Sequence, residues 1–331
     1  MESGKGAMES LGLMKVFVAG GNGFIGSGVV RKFLNENAEV HVLTRKTSNL
    51  WRIEEIKPHI NLHYGDLSSP NNIDGVVSSL KPDVVINCSG IVRGFGLEDQ
   101  NDVIQSNFVN TLNLVNSSLR SGVETLLNTG SAYECGFSDI PISVNSCNEK
   151  PIGLYGVVKK AERYYIDMIN RSYAKSYINF RLFTPFGFFD APFRLIPHVI
   201  ISLMHGIEPE IRNPAAGRSF IFLEDIANIY YAAATNPERL SGLTQVNLGS
   251  PGLTSVSEVV SSLYGMFERH FTYETKEYSG NKEFLFPDPK EVINFLSSLN
   301  VNLTPLQEGL TKTVKWFRDN EIFYSDNAGA R

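Results

Sequence analysis

Cysteine is scarce in this chain: three residues in 331, Cys88, Cys135 and Cys147. An odd number without metal-ligand spacing argues against a structural metal site and suits reduced thiols in a cytoplasm. Long apolar runs are missing too. None approaches the roughly 20 residues of a membrane span, and the stretch before Met14 lacks the apolar core of a secretory signal. No block of Lys or Arg occurs, and the formal net charge is -5. Nucleic acid and membrane surfaces therefore have little to attract them, and any cation that binds an anion must act locally. The histidines, His41, His59, His63, His198, His205 and His270, form no His-Glu-x-x-His spacing. A Gly-x-Ser-x-Gly elbow is absent as well, which removes a common hydrolase signature.

What is present is enough apolar sequence, 42% of residues, to bury a large core. It is laid out as alternating strand and helix signals, with no internal repeat and no low-complexity linker. Lys15–Ala19 is a short β-branched and aromatic run, Gly20 to Gly26 a glycine turn, and the residues through Phe33 and Leu34 an amphipathic helix. Glu39–Thr44, Asn61–Tyr64, 83–88 and 124–128 read as further strands. That alternation predicts an α/β fold, a Rossmann-type doubly wound parallel sheet with ligands at the carboxyl ends of its strands. Beyond about residue 185 the prolines 185, 192, 197, 214, 237 and 251 break the rhythm, and a smaller C-terminal substrate-binding lobe is expected there. The expected division is 14–185 for the dinucleotide domain with 219–250 returning to it, 186–218 and 251–320 for the lobe, and 1–13 as a disordered or tag-like stretch.

The chemistry-bearing residues fall at the expected strand ends. In Gly20-Gly21-Asn22-Gly23-Phe24-Ile25-Gly26, the glycines at 20, 23 and 26 allow a tight turn, close approach of backbone to a pyrophosphate, and close packing of helix on sheet. Gly20, Gly23, Phe24, Ile25 and Gly26 are thus the expected dinucleotide cradle. A dinucleotide site often carries an acid about 20 residues later to hold the ribose, but here Thr44, Arg45 and Lys46 stand in its place. The Arg45 guanidinium can pair with a 2'-phosphate and stack on adenine, which favours NADP over NAD; the alternative is a solvated surface arginine. Asp66, followed by Leu67, is placed either to accept from the adenine amino group or to cap the helix near Pro70. Cys88 and Ser89 are small residues against which a cofactor can lie.

Thr129 ends the fifth strand, and Tyr155 and Lys159 share a helix face. An ammonium one turn from a tyrosine favours the phenolate and tunes it for general acid/base duty. Thr129, Tyr155 and Lys159 form the expected triad; the bland alternative is a packed tyrosine beside a solvated lysine. Phe183, Phe186, Phe188, Phe189 and Phe193 either line a pocket or pack a core.

From Lys15 to about Phe317 these motifs resemble the extended short-chain dehydrogenase/reductases, in the branch that modifies nucleotide sugars. The resemblance rests on Gly20-x-x-Gly23-x-x-Gly26, Asp66-Leu67, Asn107, Thr129 before Tyr133, and Tyr155-x-x-x-Lys159, in family order. The segments 181–187, 194–197 and 218–227 resemble the family's later motifs. It implies a nucleotide-sugar site with Thr129, Ser131, Thr184, Arg194 and Arg218 at the substrate, Arg218 on its diphosphate, Asp225 structural, and a homodimer through the helices bearing Asn107 and Tyr155.

Departures from the family pattern narrow the subclass. Dehydratases of this branch carry Asp-Glu after the catalytic Thr, where this chain has Gly130-Ser131, so 4,6-dehydration is not expected. Epimerases carry an acid after the second strand and retain NAD; Thr44-Arg45 instead suits an exchangeable NADPH. Thr184 and Glu134 replace the family's usual Asn and Gly. The expectation is a cytoplasmic, NADPH-dependent reductase of a nucleoside-diphosphate 4-keto-6-deoxy sugar. A nucleotide-sugar 4-epimerase with bound NAD is the alternative, and a non-catalytic dinucleotide sensor or scaffold the alternative of another class.

Overall fold

The computed structural model describes residues 13–92, 100–147, 150–272 and 283–321. Strand β1 (Lys15–Ala19) leads through the glycine turn into α1 (Phe24–Asn35); β2 (Glu39–Thr44), β3 (Asn61–Tyr64), α2 (Pro70–Leu80) and β4 (Val84–Asn87) follow. A short α3 (Gln100–Val103) runs through a π-helical stretch, Ile104–Val109, into α4 (Asn110–Arg120), and then come β5 (Thr125–Ser131), α5 (Gly153–Tyr173) and β6 (Ser176–Leu182). Next are β7 (Thr184–Phe186), α6 (Leu195–Met204), β8 (Gly217–Arg218), β9 (Phe220–Phe222), α7 (Leu223–Thr235) and β10 (Gln245–Leu248). The last elements are β11 (Thr254–Ser255), α8 (Val256–Met266), β12 (Phe284–Leu285), α9 (Pro289–Leu299) and α10 (Leu306–Asp319).

Seven strands form one parallel sheet in the order β10-β6-β5-β4-β1-β2-β3. The chain begins in the middle, winds outward through β2 and β3, and returns to β4 on the other side of β1. The loops after β1 and β4 therefore part, and the crevice between them is where a doubly wound sheet binds ligands. Side chains alternate along β1 as the strand period requires. Val16 and Val18 pack with Val29, Val30 and Phe33 of α1 and Ile226 and Ile229 of α7. Phe17 and Ala19 meet Ile73 and Val77 of α2, Leu114 of α4, and Ile166 and Ile169 of α5. Both faces are covered, which is why these strands read as continuous apolar runs.

A second core joins α6, α8 and α10 to Phe186, Phe220 and Phe222. This is the smaller lobe, and it sits beside the carboxyl edge of the sheet. Strand β10 pairs with β6 in the main sheet, and α7 packs in the main-sheet core. One boundary differs: Val292, Phe295, Leu296 and Leu299 of α9 are buried in the main-sheet core, so 289–299 does not pack with the lobe to which 251–320 was assigned. Of the tag-like stretch 1–13, all but Leu13 lies outside the described residues.

The expectation of reduced thiols is also corrected. Cys135 and Cys147 are joined in a disulfide, their Cα atoms 5.0 Å apart, and Cys88 is the free cysteine. The turn after β5 brings the two together, which a spacing of 12 does not announce. A cytoplasmic location thus loses its support from the cysteines. Among the described residues no helix is long and apolar enough to cross a membrane, and no cluster of His, Cys, Asp or Glu is arranged to hold a metal ion.

Candidate active site

The glycine turn is built for close approach. Gly20 has φ +74°, and a Cβ there would lie 2.6 Å from the Cys88 carbonyl carbon; one on Gly26 would lie 2.2 Å from the Gly20 oxygen. The first contact sets the turn against the end of β4, the second presses α1 against the end of β1, and neither leaves room for a side chain. Gly23 is the N-cap of α1, with no side-chain cap and no acid in the first turn. The free N–H groups at that helix start, and its positive dipole end, face a cleft lined by Gly23, Phe24 and Ile25. This cradle fits the pyrophosphate of a nicotinamide dinucleotide, and the small residues Cys88 and Ser89 continue the wall.

The expected adenosine contacts lie apart from this cleft. Arg45 is exposed just past β2, as is Lys46. Asp66 Oδ1 accepts from the Ser68 N–H at 2.8 Å, making a turn that leads toward α2, while Ser69 holds the N-cap position without a side-chain bond. Leu67 is buried, and its carbonyl accepts from Asn113 at 2.8 Å.

Tyr155 and Lys159 line the cleft together, the ammonium 5.9 Å from the centre of the phenol ring. Tyr155 also packs edge-on against Tyr133, centroids 6.2 Å apart. Thr129 lines the same cleft, but its hydroxyl is 2.8 Å from the Tyr230 oxygen and 3.6 Å from the Cys88 sulfur. Ser131 also lines the cleft; its hydroxyl accepts from the Tyr133 N–H at 3.2 Å and draws the Tyr155 phenol's acidity in the same direction as Lys159 does. Thr129 and Ser131 both stand in the cleft with the phenol, Thr129 with its hydroxyl engaged by Tyr230.

The direction of the tyrosine's acidity also differs from expectation. Burial pushes the Tyr155 phenol up, the Lys159 ammonium pulls it down by less, and the net direction is above the ordinary tyrosine value. Tyr155 is therefore a phenol rather than a phenolate at neutral pH. Burial likewise pushes the Cys88 thiol up, to about 12, so Cys88 is a wall and not a nucleophile.

The cleft holds about 650 Å³ and runs from the glycine turn to the smaller lobe, where Thr184, Arg194 and Arg218 line its far end. Arg218 is anchored by the Gly217 and Glu283 carbonyls and the Glu283 carboxylate. Arg194 lies 3.5 Å from Asp190 Oδ1. Of the phenylalanine group, Phe183 and Phe186 are buried yet reach the cleft, while Phe193 stands 72% exposed at its rim. Asp225 receives the Thr304 N–H at 2.9 Å and the Thr304 hydroxyl at 2.8 Å, which tie α7 to the segment before α10.

The NAD dependent epimerase/dehydratase family matches this sequence over residues 16–249. The chain belongs to that family. A dTDP-glucose 4,6-dehydratase of Neisseria meningitidis is 24% identical over 95% of this chain and 96% of its own length. Among solved structures, the epimerase Mth375 of Methanothermobacter thermautotrophicus superposes with a TM-score of 0.83 at 21% identity, covering 95% of each chain. A dTDP-glucose 4,6-dehydratase of Bacillus anthracis in complex with NAD superposes with a TM-score of 0.81 at 17% identity, covering 95% of this chain and 99% of the other. The doubly wound fold is thus that of the epimerase/dehydratase enzymes, and this chain is an enzyme of that extended short-chain dehydrogenase/reductase type.

Three residues of this epimerase/dehydratase site were not singled out from sequence. Asp190 is 2% exposed, accepts from the Ala191 N–H at 2.8 Å, and has its carboxyl pushed up to about 6 by burial, Arg194 opposing. Arg52 lines the cleft and donates to the Phe189 carbonyl at 2.8 Å, tying the segment after β2 to the substrate loop. Tyr133, named in the sequence as a landmark for Thr129 and given no role there, packs edge-on against the Tyr155 phenol. No helical spacing marks Asp190 in the sequence, since the residues from it to Arg194 precede α6.

Proposed function

We propose that the chain is an NADPH-dependent reductase of a nucleoside-diphosphate 4-keto-6-deoxyhexose or a related keto sugar. The observation that carries this reading is the proton inventory of the cleft. Tyr155 and Tyr133 are its phenols, Tyr155 the one beside Lys159, and Asp190 is the one carboxylate among the described lining residues, already engaged by Arg194 and the Ala191 N–H. A phenol paired with an ammonium suits the addition of hydride and proton across a carbonyl; elimination of water needs a further acid and base. Gly130 leaves no room for one, since a Cβ there would lie 2.5 Å from Asn179 Nδ2 and 2.6 Å from Glu134 Oε1. The dTDP-glucose in the Neisseria relative's name supports the substrate class.

A bound nicotinamide dinucleotide supplies the hydride. Tyr155, held as a phenol by burial, gives its proton to the carbonyl oxygen as charge develops there. Ser131 steadies the phenol and the phenolate that it leaves. Lys159 lends its charge to that oxygen, and Thr129, whose hydroxyl is taken by Tyr230, is a wall of the site. Arg194 and Arg218 suit the diphosphate of the sugar nucleotide, which a guanidinium binds in bidentate fashion. Arg45 and Lys46, both exposed where an acid would hold a 2'-hydroxyl, favour NADPH.

The second reading is a nucleotide-sugar 4-epimerase that uses the same tyrosine in both directions; the NAD held by the Bacillus neighbour favours it. Chromatography of the dinucleotide released from denatured protein, followed by NADPH and NADH titrations, separates the two. Empty protein that prefers NADPH and consumes it with a keto sugar supports the reductase. Retained NAD, with no net change in nicotinamide absorbance during turnover, moves the assignment to the epimerase. We also infer a homodimer, because Val157, Tyr164 and Met168 expose an apolar stripe on α5 beside exposed Ile104. Light scattering that finds a monomer refutes it.

A further inference from the structure

Beneath Tyr155 lies a buried acid that this scheme does not use. Glu162 is 0% exposed on α5, one turn beyond Lys159, and its Oε2 lies 3.0 Å from the Lys159 Nζ and 3.3 Å from the Asn128 Nδ2. Both neighbours are donors there. The ammonium has no lone pair, and the Asn128 oxygen already accepts from Asn87 at 2.7 Å. Oε2 is therefore an acceptor; burial pushes the Glu162 carboxyl up from its ordinary value, and the Lys159 ammonium 3.0 Å away opposes that push and favours the carboxylate. Its Oε1 has no hydrogen-bond partner among the described residues, so Lys159 and Asn128 are what offset its burial. Lys159 gives a second hydrogen to the Thr129 carbonyl at 3.0 Å, which leaves one of its three for the cleft.

We propose that Glu162 is a positioning residue, the internal counter-ion that keeps the Lys159 ammonium charged inside the fold and aims its remaining N–H at the cleft. The inference rests on the reading of Lys159 as a working residue of the site. An ammonium only 3% exposed loses its proton readily unless a carboxylate is close. The groups facing it can be named element by element. On α5 they are Glu162 and Tyr155; at the end of β5 and just past it, Ser131 and Glu134; just past β4, Cys88 and Ser89; on the π-helical stretch, Asn107; on β6, Asn179 and Arg181 face Glu134. Arg194, at the start of α6, faces Tyr155. Glu134 is already engaged by Arg181 at 3.3 Å and by Arg163 at 3.9 Å, so Glu162 is the acid committed to Lys159. Burial lowers the proton affinity of Lys159, but Glu162 and Tyr155 raise it by more, and the net direction is upward from 10.5.

The test is an NMR titration of 15N-labelled lysine side chains in the full-length protein, assigned with Lys159→Ala. In the parent, the Lys159 Nζ is expected to remain an ammonium beyond pH 10.5. In Glu162→Gln it titrates at least about one pH unit lower, a tenfold loss of proton affinity. The alkaline limb of kcat/KM moves down with it, kcat changes more than KM, and Glu162→Asp recovers part of the shift. A Lys159 already neutral near about pH 9 in the parent, or one that titrates alike in parent and Gln variant, overturns the proposal. Beyond that assignment, the parent titration needs no Glu162 variant to fold. It also needs no substrate, so protein that shows the expected titration yet turns over no keto sugar refutes the substrate reading and leaves this pair standing.

Discussion

Ser131 and Thr129 offer two hydroxyls two residues apart on β5, and the structure assigns them different partners. Ser131→Ala removes the hydroxyl at Tyr155 and strips the Tyr133 N–H of its acceptor at 3.2 Å. Removing a donor aimed at charge that develops in the transition state costs about 10²–10³ in kcat, and an orphaned buried N–H costs about 1–3 kcal/mol of stability. Thr129→Val removes a hydroxyl 2.8 Å from the oxygen of Tyr230, a residue 0% exposed. Its stability loss should also be about 1–3 kcal/mol, but its kcat should stay within about threefold of the parent, under 1 kcal/mol of barrier. The assay is nicotinamide absorbance with a nucleoside-diphosphate 4-keto sugar, run beside denaturant unfolding of each variant. A Thr129→Val enzyme a hundredfold slower than the parent, with Ser131→Ala unimpaired, refutes the assignment and restores Thr129 to the triad.

Three further outcomes follow from the same coordinates. Arg45→Ala should weaken NADPH about tenfold and leave NADH nearly unchanged, since an exposed charge-assisted contact is worth about 1–2 kcal/mol; equal losses for both dinucleotides, read by fluorescence titration, would refute a 2'-phosphate contact. Asp190 has a folded pKa near 6, above the ordinary 3.8, so the native state holds an extra proton between those values and loses stability as pH rises through them. Asp190→Asn should therefore match the parent below pH 3.8 and exceed it at neutral pH by on the order of 2–3 kcal/mol; urea midpoints that differ equally at both ends of the range speak against this. Unfolded but unreduced protein should titrate one thiol, Cys88, and reductant should lower stability by roughly 3 kcal/mol for a loop of this length; three free thiols would exclude the disulfide.

The main sheet was legible because its inner strands β1, β2 and β4 carry apolar runs and the glycines of the turn answer local steric demands. The site was legible only in part. Thr129 and Ser131 lie on the same side of β5, so strand periodicity cannot choose between them. The choice comes from β6, whose pairing carries β5 on to Ser131↔Leu182, and from Tyr230, which arrives on α7 and occupies Thr129. The direction of the Tyr155 shift was misjudged for a related reason. The ammonium one turn away is visible in the spacing, whereas the burial that outweighs it, and the carboxylate of Glu162 behind it, exist only in the packed interior. Arg52 reaches the Phe189 carbonyl, next to Asp190, where Phe189 takes a left-handed turn at φ 63°, and no local signal announces that turn.

The placement of β10 has a consequence for how the protein is made. It pairs with β6 as the outermost strand of the sheet, yet residues 183–244 must leave the ribosome between the two. During that interval β6 is an open edge with unpaired N–H and C=O groups, a template for stray strands. Nascent chains stalled before residue 245 should therefore lean on chaperones, and chains stalled beyond β10 should not.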